Sequence, residues 1–201
     1  RPLECDAFTI TPYSEQQLAL VGTTTGKLLT FQPAEGELKQ RMNLFETPIS
    51  SITISRPLGI GLAISGKLLV SFNLADFSEQ RRLSIATDNC QRCSVTSDGL
   101  SAVITANDGT VRIVDLISFE EVSCIEVRSV ETVGVALLEN GAKAVTSSSD
   151  GHLDTVDLLT QHRISGAKIS KGFLVCVATH PEEDIAVTGG EDPFLYFVKL
   201  S

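Results

Sequence analysis

Cys90-Gln91-Arg92-Cys93 has the spacing of a zinc knuckle. A structural zinc site needs four ligands, and no second pair with suitable spacing accompanies it. The two thiols therefore read as separate residues around the start of a strand. Gly22-Thr23-Thr24-Thr25-Gly26-Lys27 has the outline of a phosphate loop. That loop must open into a helix, whereas Leu28 opens a strand-like run, so a hairpin turn is expected. His152, His162 and His180 are the only histidines. No Ser or Cys stands in a nucleophile context such as G-x-S-x-G, and the histidines are expected on the surface or in turns. Asp98, Asp108, Asp150, Asp154, Asp157, Asp184 and Asp192 are spread along the chain. Calcium loops of the EF-hand type gather such residues within twelve positions. Turn and loop roles are expected for most of them, and Asp154, inside a strand, is expected to face solvent or the edge of its sheet. No metal, no cofactor and no catalytic residue is expected.

The elements that must position these groups are clearest in CSVTSDGLSAVITANDGTVRIVDL, from Cys93 to Leu116. Ser97-Asp98-Gly99 and Asn107-Asp108-Gly109 separate three short runs rich in β-branched residues. Gly supplies positive φ cheaply and Asp or Asn tolerates it, so each is a hairpin signal. The unit is an antiparallel meander, and it recurs. Taking Asp115 as the phase marker, its equivalents are Gln32, Asn73, Asp157 and Lys199, at successive intervals of 41, 42, 42 and 42 residues. A period of roughly 40–45 residues with four strands per repeat is the mark of a β-propeller.

The expected fold is thus all-β, with four-stranded antiparallel blades. The repeats run approximately over 4–46, 47–88, 89–130, 131–171 and 172–201, within one domain. Thr11-Pro12-Tyr13-Ser14 is expected to be a turn, and fourth strands are expected near 38–44, 82–86, 122–127 and 163–169. The fifth repeat lacks its outer strand. Further blades, from more of the same protein or from a partner chain, are expected to cover the two ends, because an unpaired edge and an unstacked blade face are costly.

The composition suits this. Hydrophobic residues make up 42% but aromatic ones only 5%, so Val, Ile, Leu and Ala must build the core. A net charge of −9 argues against a nucleic-acid surface. No run is long and apolar enough to span a membrane, and no stretch reads as a leader. Five scattered cysteines, Cys5, Cys90, Cys93, Cys124 and Cys176, read as buried thiols in a reducing compartment.

Ser97-Asp98-Gly99 followed by Asp108-Gly109-Thr110-Val111-Arg112-Ile113-Val114-Asp115 resembles the WD40 repeat. Ser149-Asp150-Gly151 with Val156-Asp157-Leu158 resembles it again, as do His180-Pro181 and Gly190-Glu191-Asp192. The departures are plain. There is no Trp, the tryptophan position reading Phe31, Phe72, Val114, Val156 and Val198, and the Gly-His pair is absent. The family's Asp-His-Ser-Trp network therefore cannot form, and Asp108, Asp150 and Asp192 are expected to serve turn geometry alone.

The resemblance implies an intracellular docking platform, in cytoplasm or nucleus, that binds protein partners without catalysis. Loops entering each innermost strand and loops joining second to third strands should share one rim. Those positions are Thr47 and Pro48, then Asn89, Arg92, Asn107 and Asp108, then Glu131, Ser149 and Asp150, and finally Lys171, Glu191 and Asp192. The rim is acidic on balance, so a basic or polar segment of a partner is the expected ligand. The alternative is a propeller enzyme of lactonase or quinoprotein type, working in a central channel. The innermost strands offer such a channel Thr11, Ser50, Thr53, Ser94, Thr96, Thr132 and Thr179, rich in hydroxyls but almost without charge. Lys39-Gln40-Arg41 and Arg81-Arg82 are expected on solvated outer strands.

Overall fold

The structure is a computed structural model. It describes residues 6–85, 87–138, 141–180 and 183–200, without the side chains of residues 39–41. It is all-β, of the propeller-blade type. Blade 1 comprises β1 (Ala7–Tyr13), β2 (Leu18–Thr23), β3 (Lys27–Gln32) and β4 (Glu37–Asn43). Blade 2 comprises β5 (Ser51–Ser55), β6 (Ile60–Ser65), β7 (Leu68–Asn73) and β8 (Glu79–Ser84). Blade 3 comprises β9 (Cys90–Val95), β10 (Ser101–Ala106), β11 (Thr110–Asp115) and β12 (Glu120–Glu126). Blade 4 comprises β13 (Thr132–Leu137), β14 (Lys143–Ser148), β15 (His152–Asp157) and β16 (His162–Lys168). Blade 5 has three strands among the described residues, β17 (Leu174–Thr179), β18 (Ile185–Gly190) and β19 (Leu195–Lys199).

All pairings are antiparallel between sequence neighbours. Third and fourth strands carry the same bulge in every complete blade, at Thr30/Phe31, Ser71/Phe72, Ile113/Val114 and Thr155/Val156. A shared irregularity at one repeat position marks the blades as copies of one unit, since a bulge re-aims the side chains that follow it.

The chain divides into two compact units, Arg1–Ala86 with blades 1 and 2, and Thr87–Ser201 with blades 3 to 5. Inside each unit the innermost strands of successive blades lie side by side, β1 by β5 in the first and β9 by β13 by β17 in the second. In blades 1 to 4 the second and third strands are largely buried on both faces, while fourth strands such as β8 and β12 are mostly exposed and polar. The first unit's core gathers Leu20, Leu28, Ile49, Ala63, Val70 and Phe72. The second holds Val103, Val111, Val135, Ala144 and Val156, and further along Leu138, Val145, Leu153 and Ala186. Each fully buried Val or Leu contributes roughly 1.5–3 kcal/mol.

The place where a tryptophan was missed is filled differently from blade to blade. Phe72 is fully buried, stacks on Phe77 at 6.4 Å between centroids, and lies where a side chain on residue 61 would be, which Gly61 leaves free. Val114 and Val156 are also fully buried. Large apolar side chains stay exposed at Phe8 and Ile10 in blade 1 and at Leu195 and Phe197 in blade 5.

Two expected boundaries moved. β1 runs through Pro12 to Tyr13, and the turn follows as a 3-10 segment at Ser14–Gln16. Proline is tolerated because a strand paired on one edge needs no N–H on the other. The fourth strand of blade 2 starts at Glu79, earlier than expected, because Asp76 turns the chain by accepting from the Ser78 amide at 2.9 Å. The turn at Glu139-Asn140 and that at Pro181-Glu182 lie outside the described residues. No described helix is long and apolar enough to cross a membrane.

Candidate interaction rim

In every blade one hydrogen bond ties the loop before the innermost strand to the turn between second and third strands. The pairs are Thr24 N–H to Asp6 O at 3.0 Å, Asn107 to Asn89 at 2.9 Å, Ser149 to Glu131 at 3.0 Å and Glu191 to Phe173 at 3.0 Å. In blade 2 the Ser65 hydroxyl serves, donating to Thr47 O at 3.1 Å across the same 18-residue offset. The two loops of each blade therefore share one end of it. Thr47 and Pro48 are exposed there in the first unit. In the second unit Asn89 is exposed, and Asn107, Asp108, Glu131, Ser149 and Asp150 are half-buried. Lys171 and Glu191 are exposed and Asp192 half-buried.

Arg92 is a correction. It lies inside β9, not in a loop, paired with Thr105. Its guanidinium donates to Gln91 O at 3.0 Å, and burial pulls its pKa below the usual value. Strand β9 begins earlier than its sequence suggests because Gln91 is bulged, with Cys90 opposite Ala106.

The turn aspartates do more than shape turns, which is a second correction. Asp108 accepts from the Thr110 hydroxyl at 2.5 Å, the Thr87 hydroxyl at 2.7 Å and Arg112 Nη2 at 2.9 Å. Burial alone would raise its pKa, but these three donors outweigh it and bring the carboxyl down to about 2. Asp150 accepts from the Ser148 hydroxyl at 2.6 Å, has His152 Nδ1 at 3.0 Å, and has Arg128 Nη1 at 3.5 Å. Its carboxyl is likewise held low against the opposing effect of burial. Asp192 accepts from the hydroxyls of Ser170 and Tyr196, both at 2.6 Å, and these hold it low.

Asp154 is the third correction. Its side chain is 1% exposed. It is bound by Arg128, Nε at 2.5 Å and Nη2 at 3.0 Å, and by Arg163 Nε at 2.6 Å. The alternation that was expected to turn it outwards instead aims it at the loop after β12. Arg112 holds the equivalent place one blade earlier and pairs with Glu121 at 3.0 Å. Glu121 and Arg163 are themselves equivalent, each next to the bulge on its fourth strand. The cation and carboxylate have exchanged strands between the two blades. Charges of opposite sign 42 residues apart were the sequence signal for this, at Arg112 and Asp154 and at Glu121 and Arg163.

Three of the seven hydroxyls expected to line a channel bridge neighbouring strands, while the buried Thr132 hydroxyl makes no hydrogen bond among the described residues. Thr11 donates to Ile52 O at 2.7 Å, Ser94 to Val135 O at 3.2 Å and Thr179 to Leu137 O at 2.6 Å, each from one innermost strand to its neighbour within a unit. Cys90 and Cys93 are buried, which pushes Cys90 up to about 12 and raises Cys93 as well. Cys124 and Cys176 are exposed, contrary to expectation, because they stand on the solvent faces of β12 and β17. Cys5 lies outside the described residues. His162 and His180 are exposed and His152 half-buried. Arg81 and Arg82 are exposed, and Arg82 pairs with Glu79 at 2.9 Å while lying over the Phe45 ring. Among the described residues, no group of three or more His, Cys, Asp or Glu is arranged to hold a metal ion.

Comparison with protein-family models and with curated proteins finds no match for this chain.

Proposed function

We propose that this chain is a non-catalytic interaction scaffold, a degenerate WD40-type propeller segment that works inside the cell as a subunit of an assembly. It binds a protein partner through the loops gathered at one end of its blades. The observation that carries the reading is where the polar groups are directed. Three innermost-strand hydroxyls, those of Thr11, Ser94 and Thr179, are committed to carbonyls of neighbouring strands, whereas Lys171, Glu191 and half-buried Asp150 remain within reach of solvent at the loops. A rigid sheet framework with variable loops is suited to docking, although a fold alone fixes no function.

Affinity capture with chemical crosslinking tests this on the chain as it stands. Asp150→Arg combined with Glu191→Arg should abolish recovery of partners that the unaltered chain retains. Equal recovery by both would refute the assignment of the rim. Elemental analysis separates the enzyme alternative, since stoichiometric calcium or zinc would favour a propeller hydrolase or dehydrogenase.

A further inference from the structure

The second unit contains a cleft of about 500 Å³ between residues 168–172 and the β18–β19 turn. Its walls include Lys168, Ser170, Lys171, Asp192, Phe194 and Tyr196. The preceding blade explains the space. The amides of Val127 and Arg128 both donate to Gly109 O, and those of Ile169 and Ser170 both donate to Gly151 O. Arg128 and Ser170 therefore leave equivalent anchors. Gly is required at each anchor: φ is +80° at Gly109 and +83° at Gly151, and a Cβ would overlap the carbonyl oxygens of Arg128 and Ser170. From its anchor Arg128 reaches forward to Asp154 and Asp150. Ser170 is much shorter. Its hydroxyl meets Asp192 but leaves unfilled the volume that a guanidinium occupies one blade earlier.

The chemistry is incomplete in the same place. Asp108 has Arg112 at 2.9 Å, and Asp150 has Arg128 at 3.5 Å. Asp192 makes no ion pair among the described residues, although Lys168 and Lys171 line the same cleft. Its Oδ1 is inaccessible to solvent, and the Phe194 backbone amide beside the carboxylate helps to hold it low. Tyr196 stands at the position of Asp154, and its hydroxyl, while donating to Asp192, keeps acceptor capacity. Phe194 lies edge-on to Tyr196 at 6.3 Å between centroids and is 62% exposed.

We propose that this cleft takes the arginine side chain of a partner protein, in the place that Arg128 fills one blade earlier. The Asp192 carboxylate and the Tyr196 oxygen would accept guanidinium N–H groups, with the two aromatic rings flanking the planar ion. A planar fork of donors suits such a site better than an ammonium, and aromatic faces attract cations. Lys168 and Lys171 are exposed at the mouth and repel a bare cation. The segment that fits therefore carries acidic side chains on either side of its arginine. The inference rests on the scaffold reading and specifies the partner chemistry at the last blade of the rim.

The test is fluorescence anisotropy with a labelled seven-residue peptide, Gly-Glu-Gly-Arg-Gly-Glu-Gly, titrated with the intact chain. Saturable binding is expected. Replacing the peptide arginine by citrulline, or Asp192 by Asn, should weaken it at least about tenfold, as loss of a charge-assisted pair does. Ser170→Arg supplies the guanidinium internally and should abolish binding. Should that variant misfold, Tyr196→Phe, which keeps the ring, should weaken binding severalfold. Asp115→Asn, at a turn outside the rim, should leave it unchanged. No binding up to millimolar peptide, equal affinity for the citrulline peptide, or full binding by a folded Ser170→Arg chain would each overturn the proposal. The two readings fail separately. A partner lost on reversing Asp150 and Glu191 but retained by Ser170→Arg would leave the rim standing and remove the arginine site. Peptide binding with partner recovery unaffected by that reversal would do the opposite.

Discussion

Replacing Asp154 by Ala should be among the most damaging single changes to the second unit. The carboxylate is 1% exposed and receives three N–H groups from Arg128 and Arg163. Its hydrogen bond to Arg128 is the main cause holding that guanidinium's pKa above its usual value. Removing one partner of a buried ion pair costs about 3–5 kcal/mol, because the other charge is left without compensation. Two features reduce that here. Arg163 is 38% exposed and can turn to water, and Arg128 retains Asp150 at 3.5 Å. The expected loss is about 2–4 kcal/mol, or a fall in Tm of roughly 4–16 °C for a protein of this size. Circular dichroism in urea is the assay, since the chain has no Trp to report by fluorescence. The triple change Asp154→Leu, Arg128→Met, Arg163→Leu removes Asp154 together with both arginines that bind it, leaving the half-exposed Asp150 to Ser148 and His152, and should recover most of the loss, as buried ionic groups replaced together by apolar ones often do. A cost below about 0.5 kcal/mol for Asp154→Ala, the range of ordinary surface changes, would refute the buried network. A triple variant no better than the single one would refute the claim that the penalty comes from stranded charge.

Asp108 sets a pH dependence. Its folded pKa of about 2 lies below its ordinary value of 3.8, so its contribution is fully present above the unfolded pKa and is lost as pH falls through the folded one. At 20% side-chain exposure the shift corresponds to about 2 kcal/mol. Urea midpoints measured between pH 5 and 2 should fall less steeply for Asp108→Asn than for the unaltered chain, and parallel curves would contradict this. Thiol chemistry should separate the cysteines. In a Cys5→Ser chain at pH 8, Cys124 and Cys176 should react quickly with a disulfide reagent, while Cys90 and Cys93 should react only on unfolding. Four fast thiols would contradict the burial of β9.

The repeat itself was legible because it is written in local chemistry. Gly26, Gly109 and Gly151 adopt positive φ at turns that Asp-Gly and Thr-Gly pairs announce, and the runs between them alternate or stay apolar according to how many faces are covered. Arg92 escaped that reading because a bulge at Gln91 draws it into the strand, and a bulge of this kind leaves little trace in the residue types. Asp154 escaped it because period-2 alternation says which of two faces a side chain takes, not what stands opposite that face. Its partner Arg128 is 26 residues away and arrives only because Gly109 O fixes the end of the fourth strand.

The sequence by itself determined the period, the meander of strands, the polar fourth strands and the position of every tight turn aspartate. All of these follow from backbone preference and from burial over a few residues. Stacking of blade against blade decided which carboxylates are buried, which hydroxyls are spent on neighbouring carbonyls, and where a side chain is missing from its socket. Those outcomes depend on distances between residues far apart in the chain. Ser170 and Arg128 hold equivalent positions in the repeat, but only the folded blades show that one of them leaves a space.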